Sequence, residues 1–356
     1  MKENIFYREM ILKNMNYLSV DGGATKTIAI IYSEEKIFSV SVGGPSNFRN
    51  IGISSFKKNI KRIVDKVIDK TNNMKIDKAT FALAGIKDSK TSTELIIKNI
   101  NEVVRLKEME FYNDGEAAFF CRFPEGEGII IAPGTGMVSY GIWKGIKERS
   151  SGWGWLLDDE GGAFFIGKRA IQESIKVLDL RSSTSNYYNS DLPLRIKEFY
   201  GIKEDREIIN KVYKKKIDIR EIASIAPIVS YLASKGDSLA SFIMQEAANE
   251  SISTLYSTYT KLGKPKGIGV SGYGGVFRSG EWYKKMIFDG VAKLINNPIV
   301  KEPFYGYEAI IGSVVMNLKN GGYKVDENLI RDFRNQLDNK IEELDPENKK
   351  KYLFIS

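Results

Sequence analysis

Residues 17–27 read Tyr17-Leu18-Ser19-Val20-Asp21-Gly22-Gly23-Ala24-Thr25-Lys26-Thr27, and Ile28-Ala29-Ile30-Ile31-Tyr32 follows at once. An apolar strand runs into an acid, then into a glycine turn carrying hydroxyls and one lysine, then into a second strand. Such a strand–turn–strand can wrap backbone N–H groups and Thr/Lys side chains around a phosphate. Gly22 and Gly23 let the phosphate reach the backbone, and Thr25, Lys26 and Thr27 supply donors. Asp21, at the strand end, is placed to face the magnesium ion that accompanies a phosphate, through water. The spacing is not that of a Walker loop, and no helix follows directly. A glycine hairpin without a ligand has the same local sequence, so the stretch gains meaning only from its partners.

Those partners recur along the chain. Three strands near 16–22, 27–33 and 36–43 precede a helix over 53–71, a strand at 79–86, a helix near 91–104 and a strand at 108–113. The order is βββαβαβ. A second set of three strands begins at 128–132, 138–143 and 145–149 and leads into a helix from Ala163. Later come a helix over 236–261, strands at 267–271 and 299–301, and helices near 281–295 and 307–319. Two copies of one order predict an α/β fold of duplicated domains around a common cleft. The expected bounds are 16–115 for the N-terminal domain and 116–322 for the C-terminal one, with a helical insertion at 180–232. Residues 1–15 read as an extension, with Met15 as an alternative start. Residues 323–356 read as an amphipathic helix and tail expected to return to the N-terminal domain.

Composition narrows the chemistry. The 356 residues suffice for two ordinary domains, and hydrophobic and charged contents of 42% and 28% are those of a soluble globular chain. No apolar run approaches the roughly 18–20 residues that span a bilayer, and no secretory signal opens the chain. With one cysteine, Cys121, the cytosol is the expected compartment. Histidine is absent, which excludes Ser–His and Cys–His hydrolases and leaves a carboxylate as the natural general base. A bound metal would then sit on oxygen ligands. The net charge of +8 is spread among interspersed acids. The short runs Lys214–Lys216 and Lys349–Lys351 read as solvated faces, so neither nucleic acid nor membrane is expected as a partner.

Four further segments carry candidate chemistry. The second copy has its own glycine turn between strands, Gly134-Thr135-Gly136, a matching phosphate loop. Gly269-Val270-Ser271-Gly272-Tyr273-Gly274-Gly275-Val276-Phe277 follows a strand, and Gly274 and Gly275 would let a base or ribose lie against the backbone. In Asn113-Asp114-Gly115-Glu116, Asp114 ends a strand where open α/β sheets place ligands, a good position for a base in phosphoryl transfer. Asp at that place also serves as a helix N-cap. In Gly152-Trp153-Gly154-Trp155-Leu156-Leu157-Asp158-Asp159-Glu160, indoles and carboxylates combine as in sugar sites. An acid-rich helix N-terminus is the plainer alternative.

Taken together, these motifs resemble the N-acetylglucosamine kinase branch of the BadF/BadG/BcrA/BcrD-type ATPases, within the sugar-kinase/actin/heat-shock-protein fold. The resemblance runs over about residues 16–320. It implies two ribonuclease-H-like domains, Mg-ATP as cofactor, Asp114 as base, and Trp153, Gly154 and Asp159 at the sugar. It also carries Asn47, in Gly44-Pro45-Ser46-Asn47, and Gly85, in Ala84-Gly85-Ile86, to sugar contacts. It implies a sugar kinase and, as in relatives, a homodimer. The expected acceptors are N-acetylglucosamine, glucosamine or glucose, with the sugar acid 2-keto-3-deoxygluconate as the alternative. A sugar acid would want a cation, and Arg49 and Lys87 are candidates; either also reads as a solvated loop cation. An activating ATPase of the same family needs two cysteines from each subunit for an iron–sulfur cluster, which Cys121 alone cannot supply. A sugar-responsive repressor would need a DNA-binding module longer than the extension.

Overall fold

The computed structural model describes residues 15–87, 89–182, 184–213, 217–304 and 306–353. The extension before Met15 and the run Lys214–Lys216 lie outside the described residues. The chain divides into two compact units, 1–126 with 306–356, and 127–305.

The first unit is built on a five-stranded sheet in the order β3-β2-β1-β4-β5. Its strands are β1 (Tyr17–Gly22), β2 (Thr27–Tyr32), β3 (Ile37–Gly43), β4 (Lys78–Leu83) and β5 (Glu108–Tyr112). The first three form an antiparallel meander, and β4 and β5 then join parallel. Every residue of β1 and β2 is buried, as expected of central strands covered on both faces. One face packs on helices Ile53–Asp69 and Lys90–Val103 through Phe56, Ile60, Val67, Ile96 and Ile100.

The opposite side receives the returning chain. Helix Ile310–Asn320 is buried on nearly every side and crosses helix Asp114–Arg122 at Gly312, where any Cβ would overlap the Ala117 carbonyl. Its Asn317 is 1% exposed. Thr80 Oγ1 donates to Asn317 Oδ1 at 2.6 Å, and Asn317 Nδ2 donates to the Tyr32 hydroxyl at 2.6 Å. Tyr32 in turn meets Ser19 Oγ at 3.1 Å. These buried polar groups of three strands and one helix satisfy one another. Helix Glu327–Glu342 then lies along β3: Phe333 packs edge-on against Tyr32, and Gln336 bonds both the Ile37 amide and the Glu35 carbonyl.

The second unit repeats the topology. Its strands are β6 (Gly128–Ile131), β7 (Val138–Trp143), β8 (Ile146–Ser151), β9 (Gly269–Gly272) and β10 (Ile299–Val300). They run in the order β10-β9-β6-β7-β8, again an antiparallel meander joined by parallel strands. This is the duplicated ribonuclease-H-like arrangement. Short helices, among them Leu192–Tyr200 and Ala226–Ser234, follow helix Ala163–Leu178, and the long helix Ser238–Lys261 completes the core.

The unit bounds differ from those drawn on the sequence. Helix Asp114–Arg122 stays with the first unit, and the return begins at 306 in place of 323. The reason is the Gly312–Ala117 crossing and the Asn317 network, both of which join residues far apart in the chain. Asn317→Ala would leave the Thr80 and Tyr32 hydroxyls without that partner. It is expected to cost about 2–4 kcal/mol in urea unfolding. A loss under about 1 kcal/mol would show that the network contributes little.

Candidate functional site

In the first unit, the turn Gly22–Thr27 is fixed from behind. The Gly23 carbonyl accepts from the amides of Ser46 and Asn47 at 3.0 and 3.1 Å. Ser46 Oγ fills the space where Gly22 lacks a Cβ. Thr27 is buried, and its hydroxyl donates to the Gly44 carbonyl at 2.7 Å. Thr25 is the exposed hydroxyl of the turn. The Lys26 ammonium donates to the Gly306 carbonyl.

The turn lies beside the acid at 114. A Cβ on Gly23 would sit 3.6 Å from Asp114 Oδ2. Asp21, 6% exposed at the end of β1, is pushed up to about 7, first by burial and then by the Asp114 carboxylate, with Lys26 opposing. Two carboxylates thus share a confined space at the mouth of the turn. Among the described residues, no three acidic or thiol side chains cluster as a cation cage. One buried carboxylate with a neighbour is the donor set that suits magnesium, which takes one or two carboxylates and completes its shell with water and substrate phosphates.

Asp114 is the first residue of helix Asp114–Arg122, and the cap is Asn113. Asn113 Oδ1 accepts from the Gly115 amide at 2.9 Å, and Glu116 Oε2 accepts from the Asn113 amide at 3.1 Å. Asn113 Nδ2 donates to the Ile86 carbonyl at 2.9 Å. The sequence reading missed Asn113 and Glu116 as a capping pair, although the Asn-x-x-Glu spacing signals one. Gly85, at φ +97°, is buried against Phe48 and Ile96. Asn47 caps the short helix Phe48–Ile51 by accepting the Arg49 amide. Arg49 is exposed, with its guanidinium 5.9 Å from the Phe48 ring. Lys87 is ion-paired with Glu116 at 2.7 Å.

In the second unit, three glycine-bearing segments meet where no side chain fits. The Gly134 and Thr135 carbonyls accept the Ala163 and Phe164 amides at 2.8 and 3.0 Å. A Cβ on Gly162 would run into the Gly136 backbone, and one on Gly274 into the Pro133 carbonyl. The Val276 amide also donates to Pro133, while Gly275 is exposed. The turn at Gly134–Gly136 and the segment Gly272–Phe277 are therefore adjacent.

Asp159 closes the same junction. Its carboxylate occupies the space a Gly136 side chain would need, and it accepts the Gly154 amide at 3.4 Å. Burial pushes it up to about 6, against the Gly154 and Met137 amides and Arg149, with Asp158 adding to the rise. Asp158 accepts from Ser151 Oγ and the Trp153 amide at 3.0 and 3.2 Å. The two acids staple the loop that presents Trp153, whose side chain is 77% exposed. Trp155 instead packs on Phe164, with ring centroids 5.2 Å apart.

Residues 18–316 match the BadF/BadG/BcrA/BcrD ATPase family. The chain belongs to that family. A relative from Clostridium acetobutylicum, named N-acetylmuramic acid/N-acetylglucosamine kinase, is 30% identical over 240 residues, covering 65% of this chain and 76% of the relative. An N-acetyl-D-glucosamine kinase from Dictyostelium discoideum is 24% identical over 271 residues, 70% of this chain and 81% of its own length. Among solved structures, a candidate N-acetylglucosamine kinase from Chromobacterium violaceum is similar with a TM-score of 0.68 at 19% identity, over 85% of this chain and 99% of that one. The last likeness is one of fold. Within this BadF-type chain, Cys121 is buried and donates to the Glu308 carbonyl, so burial raises its thiol. Among the described residues, no helix is long and apolar enough to cross a membrane.

The Asp159 environment has a consequence for stability. Its pKa rises from 3.8 to about 6 on folding. Its contribution is therefore most favourable below about pH 4 and is lost as pH rises through about 6, where the buried carboxylate ionises. Asp159 also holds φ +68°, a conformation Asn tolerates. Asp159→Asn is expected to raise stability at pH 7 by about 1–3 kcal/mol and to flatten the pH 4–6 dependence in thermal unfolding. A variant no more stable than wild type at pH 7 would contradict the burial argument.

Proposed function

We propose that this chain is an ATP-dependent kinase that transfers the γ-phosphoryl group of ATP to a hydroxyl of an amino sugar of the N-acetylglucosamine type. The observation that carries the reading is Asp114: a carboxylate held on a capped helix start, beside a glycine turn and the buried Asp21, in a chain whose curated relatives are named as sugar kinases.

In this reading, Asp114 accepts the proton of the sugar hydroxyl as its oxygen attacks the γ-phosphorus. The turn Gly22–Thr27, with Thr25 and Lys26, and the turn Gly134–Gly136 are the phosphate-binding elements. Gly274 and Gly275 take the adenosine side. Lys26 leaves the Gly306 carbonyl to meet phosphate charge, a contact worth most where water is excluded. Asp21, through water, is the residue for a magnesium ion, which supplies charge neutralisation on the phosphates. Asn47, Gly85, Trp153, Gly154 and Asp159 are assigned to the sugar. The exposed Trp153 ring offers a face for the C–H side of a pyranose.

The acceptor is tested by coupled ADP release over N-acetylglucosamine, N-acetylmuramic acid, glucosamine, glucose and 2-keto-3-deoxygluconate. The N-acetylated sugars are expected to be the best substrates. A preference for the sugar acid would move the assignment to that substrate and point to Arg49 as its anchor. Asp114→Asn is expected to lower kcat about 100-fold or more, with KM little changed. Near-normal turnover in that variant would remove Asp114 from the chemistry. Asp21→Asn is expected to raise the magnesium concentration for half-maximal rate by about tenfold or more, the scale of a lost partner that acts on the metal through water. An unchanged magnesium requirement would free Asp21 of that role.

A further inference from the structure

We propose that Lys87 is a positioning residue for Asp114: its ammonium holds the buried Glu116 carboxylate that caps the Asp114 helix, and thereby fixes the base. The proposal rests on the reading of Asp114 as general base.

The sequence offered Lys87 as an anchor for a substrate carboxylate. The structure gives its ammonium another partner. Lys87 Nζ donates to both oxygens of Glu116, at 2.7 and 3.0 Å, and lies 4.6 Å from the centre of the Tyr112 ring. Glu116 is 6% exposed, and a counter-charge and hydrogen bonds offset the cost of taking such a carboxylate out of water. Its Oε2 also accepts the Asn113 amide, one residue before Asp114. The charge of Lys87 therefore reaches the base through a single intermediate side chain.

The backbone repeats the same link. Ile86, next to Lys87, gives its carbonyl to Asn113 Nδ2, and the other end of that amide, Oδ1, accepts the Gly115 amide. Asn113 and Gly115 flank Asp114: Asn113 is held by the Ile86 carbonyl and by Glu116, and the Gly115 amide is held by Asn113 Oδ1 and, at 3.1 Å, by Asp114 Oδ1 itself. Lys87 itself sits at φ +64°, unusual for a residue with a Cβ. Such a conformation persists where surroundings over-determine it. Here the Lys87 amide donates to Thr93 Oγ1 at 2.8 Å while its side chain is held by Glu116. Removing the ammonium takes the Lys87 counter-charge from a buried carboxylate close to a helix turn whose position sets that of Asp114. A displacement of about 1 Å at such a group can cost on the order of 100-fold in rate.

The test uses the full chain with Lys87→Met, Lys87→Arg, Glu116→Gln and the double variant Lys87→Met/Glu116→Gln, beside Asp114→Asn. Lys87→Met is expected to lower kcat by about 10–100-fold, with KM for ATP and sugar within about twofold, and Lys87→Arg to restore most of the rate. The double variant is expected to turn over faster than Lys87→Met, because a neutral Gln still accepts the Asn113 amide and does not bury a carboxylate that has lost the Lys87 counter-charge. Hydrogen exchange is expected to quicken at the Gly115 and Glu116 amides in Lys87→Met and to return toward normal in the double variant. Wild-type kcat in Lys87→Met, a loss confined to KM for the sugar, or a double variant no better than the single would each overturn the proposal. The two readings fail separately. If the wild-type chain phosphorylates no sugar, the kinase reading falls. Exchange then decides on Lys87: faster exchange at the helix start supports its ordering role, and unchanged exchange removes it.

Discussion

The crossing of helix Ile310–Asn320 over helix Asp114–Arg122 is the contact on which the first unit depends. At Gly312 the two backbones approach so closely that no side chain fits against the Ala117 carbonyl. One turn and a half further on, Asn317 satisfies hydroxyls from β4 and β2 in a place water does not reach. Dispersion at the crossing is non-directional; the amide is not. Their combination specifies one register for the helix, since a slip would bury an unpaired amide and two unpaired hydroxyls. Because the partner helix begins with Asp114, the C-terminal part of the chain helps to hold the residue assigned as base.

The second unit brings its backbone segments into close contact by a different route. There, glycines at 136, 162 and 274 remove side chains where three backbone segments converge, and Asp159 takes the remaining space. A carboxylate in such a place is costly, and burial lifts it to about 6. It is kept in a left-handed backbone conformation as well. Strain and an uncomfortable charge at one residue are commoner at functional sites than in plain scaffolding, where Asn would serve with less cost.

Much of this was legible along the chain. The strands of both meanders announce themselves as buried apolar runs, and the two glycine turns fall at equivalent places in each copy. Asp114 was recognisable at a strand end. The cap role alternatively read for it falls to Asn113, and Asp114 is the first helical residue. Thr27 looked like a phosphate donor beside Thr25, yet its side chain points to the Gly44 carbonyl. Strand alternation does not tell which of two nearby hydroxyls a turn will bury. Lys87 read as a loop cation, because its partner Glu116 lies a helix and a strand away.

Sequence alone therefore determined the α/β class, the duplication, the absence of histidine chemistry and the family, since each follows from composition, from local periodicity or from short motifs in order. Tertiary structure decided which unit owns helices Asp114–Arg122 and Ile310–Asn320, which side chains of the glycine turns face outward, and what Lys87 pairs with. Those outcomes hang on contacts between residues tens to hundreds of positions apart. A small residue, a buried amide or a cation acquires its meaning only when the fold supplies the group that stands opposite it.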